Sequence, residues 1–525
     1  MKKNLLVLFL SLLLTQFLIG QDIIPIPNNY GEKAGNVSIP KKITISSTSE
    51  FKGLIPVFVE SSKKFNIDFK EKRRRGFIRL AYNSSIVNEE AYKLSVFKSG
   101  ILIEAGNANG AFYGLQSALQ LVLNSGKSGK LAYSIINDTP RYGWRGVMVD
   151  ESRHFIGKEE IIRLLDMMAF HKLNKFHWHL TDAQGWRIEI KQYPLLTTVG
   201  GKGNISDPDA DVKFYTQEEI TEIIEYAAER FIEVIPEIDM PGHATAAVTA
   251  YPEFSGGGSE RYPHFTFNPG KEGTYAFLTN ILREVAELFP SEYLHLGGDE
   301  VHFGNQQWND LPEIKSLMKR EGLDDLVAVE HYFLNRMADS VKTLNKTVVG
   351  WDELVVAGLS PENTVVMWWR HDRGDYLEHA LNGGYRTILC PRIPLYLDFV
   401  QHEDHTSGRK WGGAFAPIEL VHEFPSLNLT KGVEFSNPLV MGIQANVWTE
   451  VIDTSERFQF MVYPRLAAVA EAAWSNEDVK DFQNFDKRMD NMFDIYNKWG
   501  ITFYDYRNHD NSKEILGPLP KGPIE

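Results

Sequence analysis

The 525-residue chain has a single cysteine, Cys390, so no intrachain disulfide can form. A chain this long without disulfides must rest on its hydrophobic core, which suits a bacterial envelope protein. A basic excess is also missing: 55 Lys and Arg face 69 Asp and Glu, a formal charge of -14. That disfavours a nucleic-acid partner, which needs a basic face, and an anionic membrane surface. Internal repeats and low-complexity tracts are absent, which excludes a solenoid and a disordered chain. No Gly-rich phosphate loop follows the first strand-like run, which argues against an open doubly wound nucleotide-binding sheet. After the N-terminal leader no apolar run is long enough to span a bilayer.

That leader, residues 1–20, is expected to be a signal peptide. Lys2 and Lys3 form a positive start, Leu5 to Leu14 is apolar apart from Ser11, and Gly20 offers a small residue for cleavage. Leu18 departs from the small residue expected two positions earlier. The chain is therefore expected to be exported, periplasmic or secreted, with no transmembrane span once the signal is removed. No cysteine follows the leader, so a lipid-anchored N-terminus is not expected.

Residues 22–138 are expected to form a small α+β domain. Short β-rich runs (Ile43 to Ser46, Phe77 to Ala81) accompany a helix-like run, Gly110 to Leu123, with Ala111, Leu115, Ala118 and Leu119 on one face. Proline punctuates at Thr139-Pro140, and residues 139–525 are expected to form the main domain with a C-terminal helix and tail. There a β-like run alternates with an amphipathic helix. The runs are Trp144 to Asp150, Lys175 to Thr181, Glu233 to Ile238, Tyr293 to Leu296, Thr347 to Gly350, Thr364 to Trp368, Tyr385 to Cys390 and Val440 to Val447. Among the helices, Thr216 to Phe231 opens with a capping box, Thr216 with Glu219; Tyr275 to Phe289 and Glu330 to Leu344 are similar. Eight strands alternating with helices predict an α/β fold closed as a (β/α)8 TIM barrel.

In such a barrel the reacting groups sit at the C-terminal strand ends. Here those ends carry Asp150 with Arg153 and His154 beyond it, His179-Leu180-Thr181-Asp182, Glu237-Ile238-Asp239 followed by Gly242-His243, Asp299-Glu300, Trp351-Asp352-Glu353, Trp368-Trp369, Tyr396 with Asp398, and Trp448-Thr449-Glu450. Buried charges cost several kcal/mol unless paired, so so many carboxylates point to a wet pocket rather than to packing. Tryptophans beside carboxylates point to a sugar: indole faces stack on pyranose C–H faces, while carboxylates and Arg bind hydroxyls. Asp299 and Glu300 follow two glycines and are adjacent. Two close carboxylates cannot both ionise easily, and a carboxyl that keeps its proton can protonate a leaving group. A usual retaining glycosidase needs a second carboxylate about 5 Å from the acid; Glu237 and Asp398 are conceivable. A substrate-assisted route needs none, because the sugar's 2-acetamido oxygen attacks the anomeric carbon while one carboxylate steadies the acetamido N–H.

Four motifs then carry a resemblance. Trp144-Arg145-Gly146-Val147-Met148-Val149-Asp150-Glu151-Ser152-Arg153-His154-Phe155, His177-Trp178-His179-Leu180-Thr181-Asp182, Pro236-Glu237-Ile238-Asp239-Met240-Pro241-Gly242-His243 and Leu296-Gly297-Gly298-Asp299-Glu300 resemble glycoside hydrolase family 20, the β-N-acetylhexosaminidases. The likeness runs in order from about Tyr142 to Trp474, and the preceding small domain is similar too. It implies an exo-acting retaining enzyme that removes terminal N-acetylglucosamine or N-acetylgalactosamine through an oxazolinium intermediate. It implies Glu300 as acid/base and Asp299 as the holder of the acetamide. By the same likeness Arg145 would clamp O3 and O4, Tyr396 would bond the acetamide oxygen, and Asp398 and Glu450 would bind outer hydroxyls. Trp351, Trp369 and Trp448 would wall the pocket, and Asp182, with His243 and Asp239 nearby, would tune the acidic pair. No cofactor and no metal are expected; the partner is a carbohydrate with a terminal β-linked N-acetylhexosamine.

Two other readings compete. A metal-dependent barrel hydrolase would use the His177-x-His179 pair with His243, His295 and Asp299. A non-catalytic sugar-binding protein would keep the scaffold and lose the acid, yet Glu300 is present.

Overall fold

The computed structural model describes residues 22–410, 412–425 and 436–521; the expected signal peptide at 1–20 lies outside them. Among the described residues two compact units emerge, one of residues 22–139 with 478–495, the other of the described residues of 140–477 and 496–521.

The first unit is built on a seven-stranded mixed sheet. Its strands alternate as a half-buried sheet should: Tyr92–Phe97 reads buried, half-buried, buried along its length. The helix Ala108–Asn124 covers one face, two residues longer at its start and one at its end than the sequence pattern suggests. Gln120 fixes the chain entry by exchanging 2.8 Å hydrogen bonds with the backbone of Ile24. Tyr92 is locked between Ser117 and Asp138 at 2.7 Å each.

The second unit is a closed barrel of eight parallel strands. The expected first, sixth and eighth strands are found with the expected bounds: Trp144–Asp150, Thr364–Trp368 and Val440–Val447. The remaining five differ by one or two residues at an end, as Glu233–Glu237 and Tyr293–His295 do. Buried on both faces, they read as continuous apolar runs, and Trp144–Asp150 is buried at every residue. The capping box forms as expected: the Thr216 side chain accepts from the Glu219 amide, and the Glu219 carboxylate accepts from the Thr216 amide, so the helix Gln217–Ala228 starts sharply.

Two departures from the sequence reading matter. The second strand stops at His179, and Thr181–Asp182 pairs instead with Gly185–Trp186 in a small hairpin. Asp182 thus stands above the barrel rim rather than on its wall. The closing helix Phe482–Trp499 does not belong to the barrel throughout: up to Ile495 it groups with the N-terminal unit. There Phe485, Met489 and Met492 are buried, and the Arg488 guanidinium donates to the carbonyl of Ile23 at 2.9 Å. No helix among the described residues is long and apolar enough to cross a membrane.

Candidate active site

The fourth strand ends at His295, and the chain turns on Gly297 and Gly298 with φ of +67° and +91°. A β-carbon on Gly297 would lie 1.8 Å from Asp239 Oδ1, so only glycine lets this backbone approach that carboxylate. The Gly298 amide then donates to Asp239 Oδ1 at 3.3 Å. The turn delivers Asp299 and Glu300. Glu300 itself takes a left-handed φ of 54°, which costs a non-glycine residue on the order of 1 kcal/mol and recurs where function fixes the backbone.

Behind the pair runs a chain of charges. His243 Nε2 sits 3.7 Å from Asp299 Oδ2 and 3.9 Å from Glu300 Oε2. Its Nδ1 is 3.0 Å from Asp182 Oδ1. Asp182 Oδ2 meets His179 Nε2 at 3.1 Å and Arg153 Nη1 at 2.6 Å, and His179 Nδ1 contacts Glu237. Burial alone would raise the Asp182 carboxyl, but Arg153, His243 and His179 outweigh it and hold it well below the carboxylate range. Burial would likewise keep His179 neutral, yet Glu237 and Asp182 push its pKa well above the usual imidazole value. Asp299 goes the other way. Burial, then the charges of Asp239 and Glu300, lift it well above an ordinary carboxyl, with His243 opposing. Asp239, also driven mainly by burial, rises to about 8. The site therefore separates a firmly ionised row (Asp182, Glu237, His179) from a pair, Asp239 and Asp299, whose proton affinity is raised.

Aromatic rings build the walls. Trp351 and Trp448 lie 5.8 Å apart, Tyr396 is 6.1 Å from Trp448, and Trp369 runs nearly parallel to Tyr396 at 6.4 Å. Two of the indole N–H groups are anchored: Trp351 Nε1 donates to Glu237 Oε1 at 3.0 Å and Trp369 Nε1 to Glu353 Oε2 at 3.1 Å. Trp368 faces away, donating to the Arg373 carbonyl at 3.1 Å. Burial keeps the Tyr396 hydroxyl protonated far above neutral pH, so it stays a donor. At the far end Arg409 Nε is 3.0 Å from Asp398 Oδ2, and its Nη2 contacts Glu450 Oε1. Together these walls line one open cleft above the carboxylate pair.

Of the residues singled out in the sequence, Asp299, Glu300, Trp351, Trp369, Tyr396, Trp448 and Glu450 line this cleft. Asp182 and His243 stand behind the carboxylate pair, and Asp398 stands behind Arg409. Arg145 does not belong. It is the second residue of its strand, at the foot of the barrel, where Nε donates to the Lys172 carbonyl and Nη1 to the Tyr142 carbonyl, both at 2.8 Å. The arginine at the rim is Arg153, which lines the cleft over the face of Trp448 at 4.9 Å. Its position just past the strand end was visible in the sequence. Arg392, at the start of the four-residue helix Arg392–Leu395, and Arg409, in a loop, also line the cleft; neither carries a sequence signal, because neither belongs to a strand or a long periodic helix.

The expected His-x-His pair does converge with His295, but on Glu237. His177 Nε2 and His295 Nδ1 each lie 2.9 Å from that carboxylate, which also meets His179 and Trp351. His177, Glu237 and His295 are close enough to hold an ion, as are His179, Asp182 and Asp239, or Asp239, His243 and Asp299. In the first two sets the ring nitrogens already face the carboxylates at hydrogen-bonding distance. Glu237, ringed by three histidines and an indole, is no free nucleophile.

Residues 142–477 match the family described as glycosyl hydrolase family 20, catalytic domain, and residues 20–139 match domain 2 of the same family. The chain belongs to glycosyl hydrolase family 20. Its relatives include a β-hexosaminidase of Porphyromonas gingivalis, 36% identical over 92% of this chain, and one of Vibrio furnissii, 37% identical over 73%. The matches span 64% and 65% of those two relatives, a little under two thirds of each. Among solved structures, the β-N-acetylhexosaminidase of Bacteroides fragilis superposes with a TM-score of 0.81 at 31% identity, covering 94% of this family 20 chain and 99% of that one. An exo β-N-acetylglucosaminidase of Vibrio harveyi, solved with N-acetylglucosamine, gives 0.84 at 29% identity over 92% and 78%.

Proposed function

We propose that this family 20 chain is an exo-acting β-N-acetylhexosaminidase, releasing terminal N-acetylglucosamine or N-acetylgalactosamine with retention of configuration. One observation carries the mechanism: the cleft brings Asp299 and Glu300 together under three indoles, while the alternative nucleophile Glu237 is held by His177, His179, His295 and Trp351. With Asp398 and Glu450 engaged by Arg409, the attacking atom is the substrate's own acetamido oxygen.

In the first step that oxygen bonds to the anomeric carbon. Glu300 gives its proton to the departing glycosidic oxygen, and an oxazolinium ring forms. Asp299 accepts the acetamido N–H as positive charge grows there; a carboxylate with raised proton affinity is a strong acceptor for it. Tyr396, a fixed donor, steadies the acetamide oxygen. In the second step Glu300 takes a proton from water, which opens the ring on the same face. Arg153, in place of Arg145, grips ring hydroxyls, and Asp398 and Glu450 with Arg409 close the pocket beyond the sugar, which supports exo action. Export is proposed with this activity, on the Lys2-Lys3 start and apolar run of the leader.

Release of p-nitrophenol from its β-N-acetylglucosaminide tests the reading. The wild type is expected to be active, with Glu300→Gln and Asp299→Asn each losing on the order of 100-fold or more in kcat. Comparable cleavage of the matching β-glucoside, which has no acetamide, would sink it.

A further inference from the structure

A second cluster of ligating side chains lies away from the cleft. The segment from Asp398 to Arg409 leaves the barrel as a closed loop: the Arg409 amide donates to the Asp398 carbonyl and the Val400 amide to the Arg409 carbonyl, both at 3.1 Å. Its tip meets the C-terminal tail, where Glu514 accepts from the amides of Thr406 and Ser407 at 2.8 and 2.9 Å. His402 and Asp404 come from the loop and His509 from the tail. The rings of His402 and His509 are 3.6 Å apart and nearly parallel. His509 Nδ1 is engaged by the Tyr504 hydroxyl at 3.0 Å, which leaves Nε2 facing Asp404 Oδ2 at 3.4 Å. One ligand atom from each of the three falls within 4.8 Å of the others.

A second observation points to a ligand. His405, 4% exposed, packs 5.9 Å from the His402 ring and 5.7 Å from the His509 ring, and neither of its ring nitrogens has a hydrogen-bond partner. An unpartnered buried polar group is costly, and an imidazole lone pair is satisfied by a proton donor or by a metal. The nearby cation, Arg457, is occupied by the carbonyls of Ser407 and Ile515. Two imidazoles and one carboxylate, with a third imidazole packed beside them, suit zinc and its first-row neighbours; calcium prefers an all-oxygen set.

We propose that His402, Asp404 and His509, backed by His405, bind a divalent transition cation of the zinc class that pins the Asp398–Arg409 loop to the C-terminal tail. The site is distinct from the hydrolytic centre and its existence does not rest on the proposed activity. Its consequence does reach the cleft, because the two ends of the pinned loop are Asp398 and Arg409.

The test uses the full chain without a histidine tag, stripped with EDTA and titrated with zinc chloride by calorimetry. A single zinc ion should bind per chain and raise the melting temperature, with excess calcium failing to compete. His402→Ala with His509→Ala should weaken binding by at least about 10-fold and abolish the zinc-dependent rise. Should the double variant fold poorly, His402→Gln, at a partly exposed position, is expected to lose the same rise. Glu300→Gln should bind zinc as the wild type does. Absence of zinc binding, displacement by calcium, or unchanged affinity in the histidine variants would overturn the proposal.

Discussion

Two arginines near the two ends of one strand show how this barrel divides its labour. Arg145 and Arg153 are both buried, at 0% and 4% exposure. At the foot, Arg145 donates to backbone carbonyls and lies over Trp474 at 5.0 Å; it ties the chain together. At the rim, Arg153 meets Asp182 at 2.6 Å and Asp150 at 3.6 Å, and its guanidinium faces open cleft. The same residue type ties backbone carbonyls together at the foot and meets carboxylates beside the cleft at the rim, where the proposed activity gives it a sugar to bind.

Substitution of the two should separate these roles. Arg153→Ala removes one partner of a buried charge pair and a group for ring hydroxyls, so kcat/KM is expected to fall about 100-fold. Arg145→Met should leave kcat/KM of the folded fraction near wild type but lower stability by about 3 kcal/mol, measured by urea denaturation, because buried carbonyls lose their donor. A stable Arg145→Met protein without activity would break the contrast. A smaller effect is expected at the turn: Gly297→Ala forces a β-carbon against Asp239, costing about 2 kcal/mol and displacing the catalytic pair. Unchanged stability and kinetics there would mean the turn does not depend on that close approach.

The smallest effect concerns pH. Asp239 is pushed by burial to about 8 from an ordinary 3.8. Between those values the folded state binds more protons than the unfolded one, so this group's linkage makes stability fall as pH rises. Denaturation at pH 6 and pH 8 should show a loss on the order of 1 kcal/mol, and Asp239→Asn should flatten it. An identical slope in that variant would assign the loss elsewhere.

Much of the architecture was legible because the signals were long and local. Continuous apolar runs ending in polar residues marked the barrel strands, and Thr216 with Glu219 marked a helix start. The carboxylate pair was legible because two glycines precede it. Arg145 misled because the resemblance was carried onto the wrong arginine of the motif: as the second residue of its strand it lies at the foot, whereas Arg153 lies just past the strand's C-terminal end. Arg409 was invisible because a loop carries no periodicity. So was the meeting of His402 and His509, separated by more than a hundred residues and joined only when the tail returns to the loop. The closing helix was assigned whole to the barrel because one amphipathic pattern does not reveal that its early turns bury Phe485 and Met489 in the first unit.

The central claim is that the substrate supplies its own nucleophile. Its most direct test is kcat/KM across p-nitrophenyl β-glucosaminides bearing acetyl, fluoroacetyl, difluoroacetyl and trifluoroacetyl amides. Each fluorine weakens the amide oxygen as a nucleophile while leaving the leaving group unchanged. A steep, stepwise fall across the series is the expected result; a flat series would mean that a side chain of the protein attacks the sugar and that Asp299 has another task.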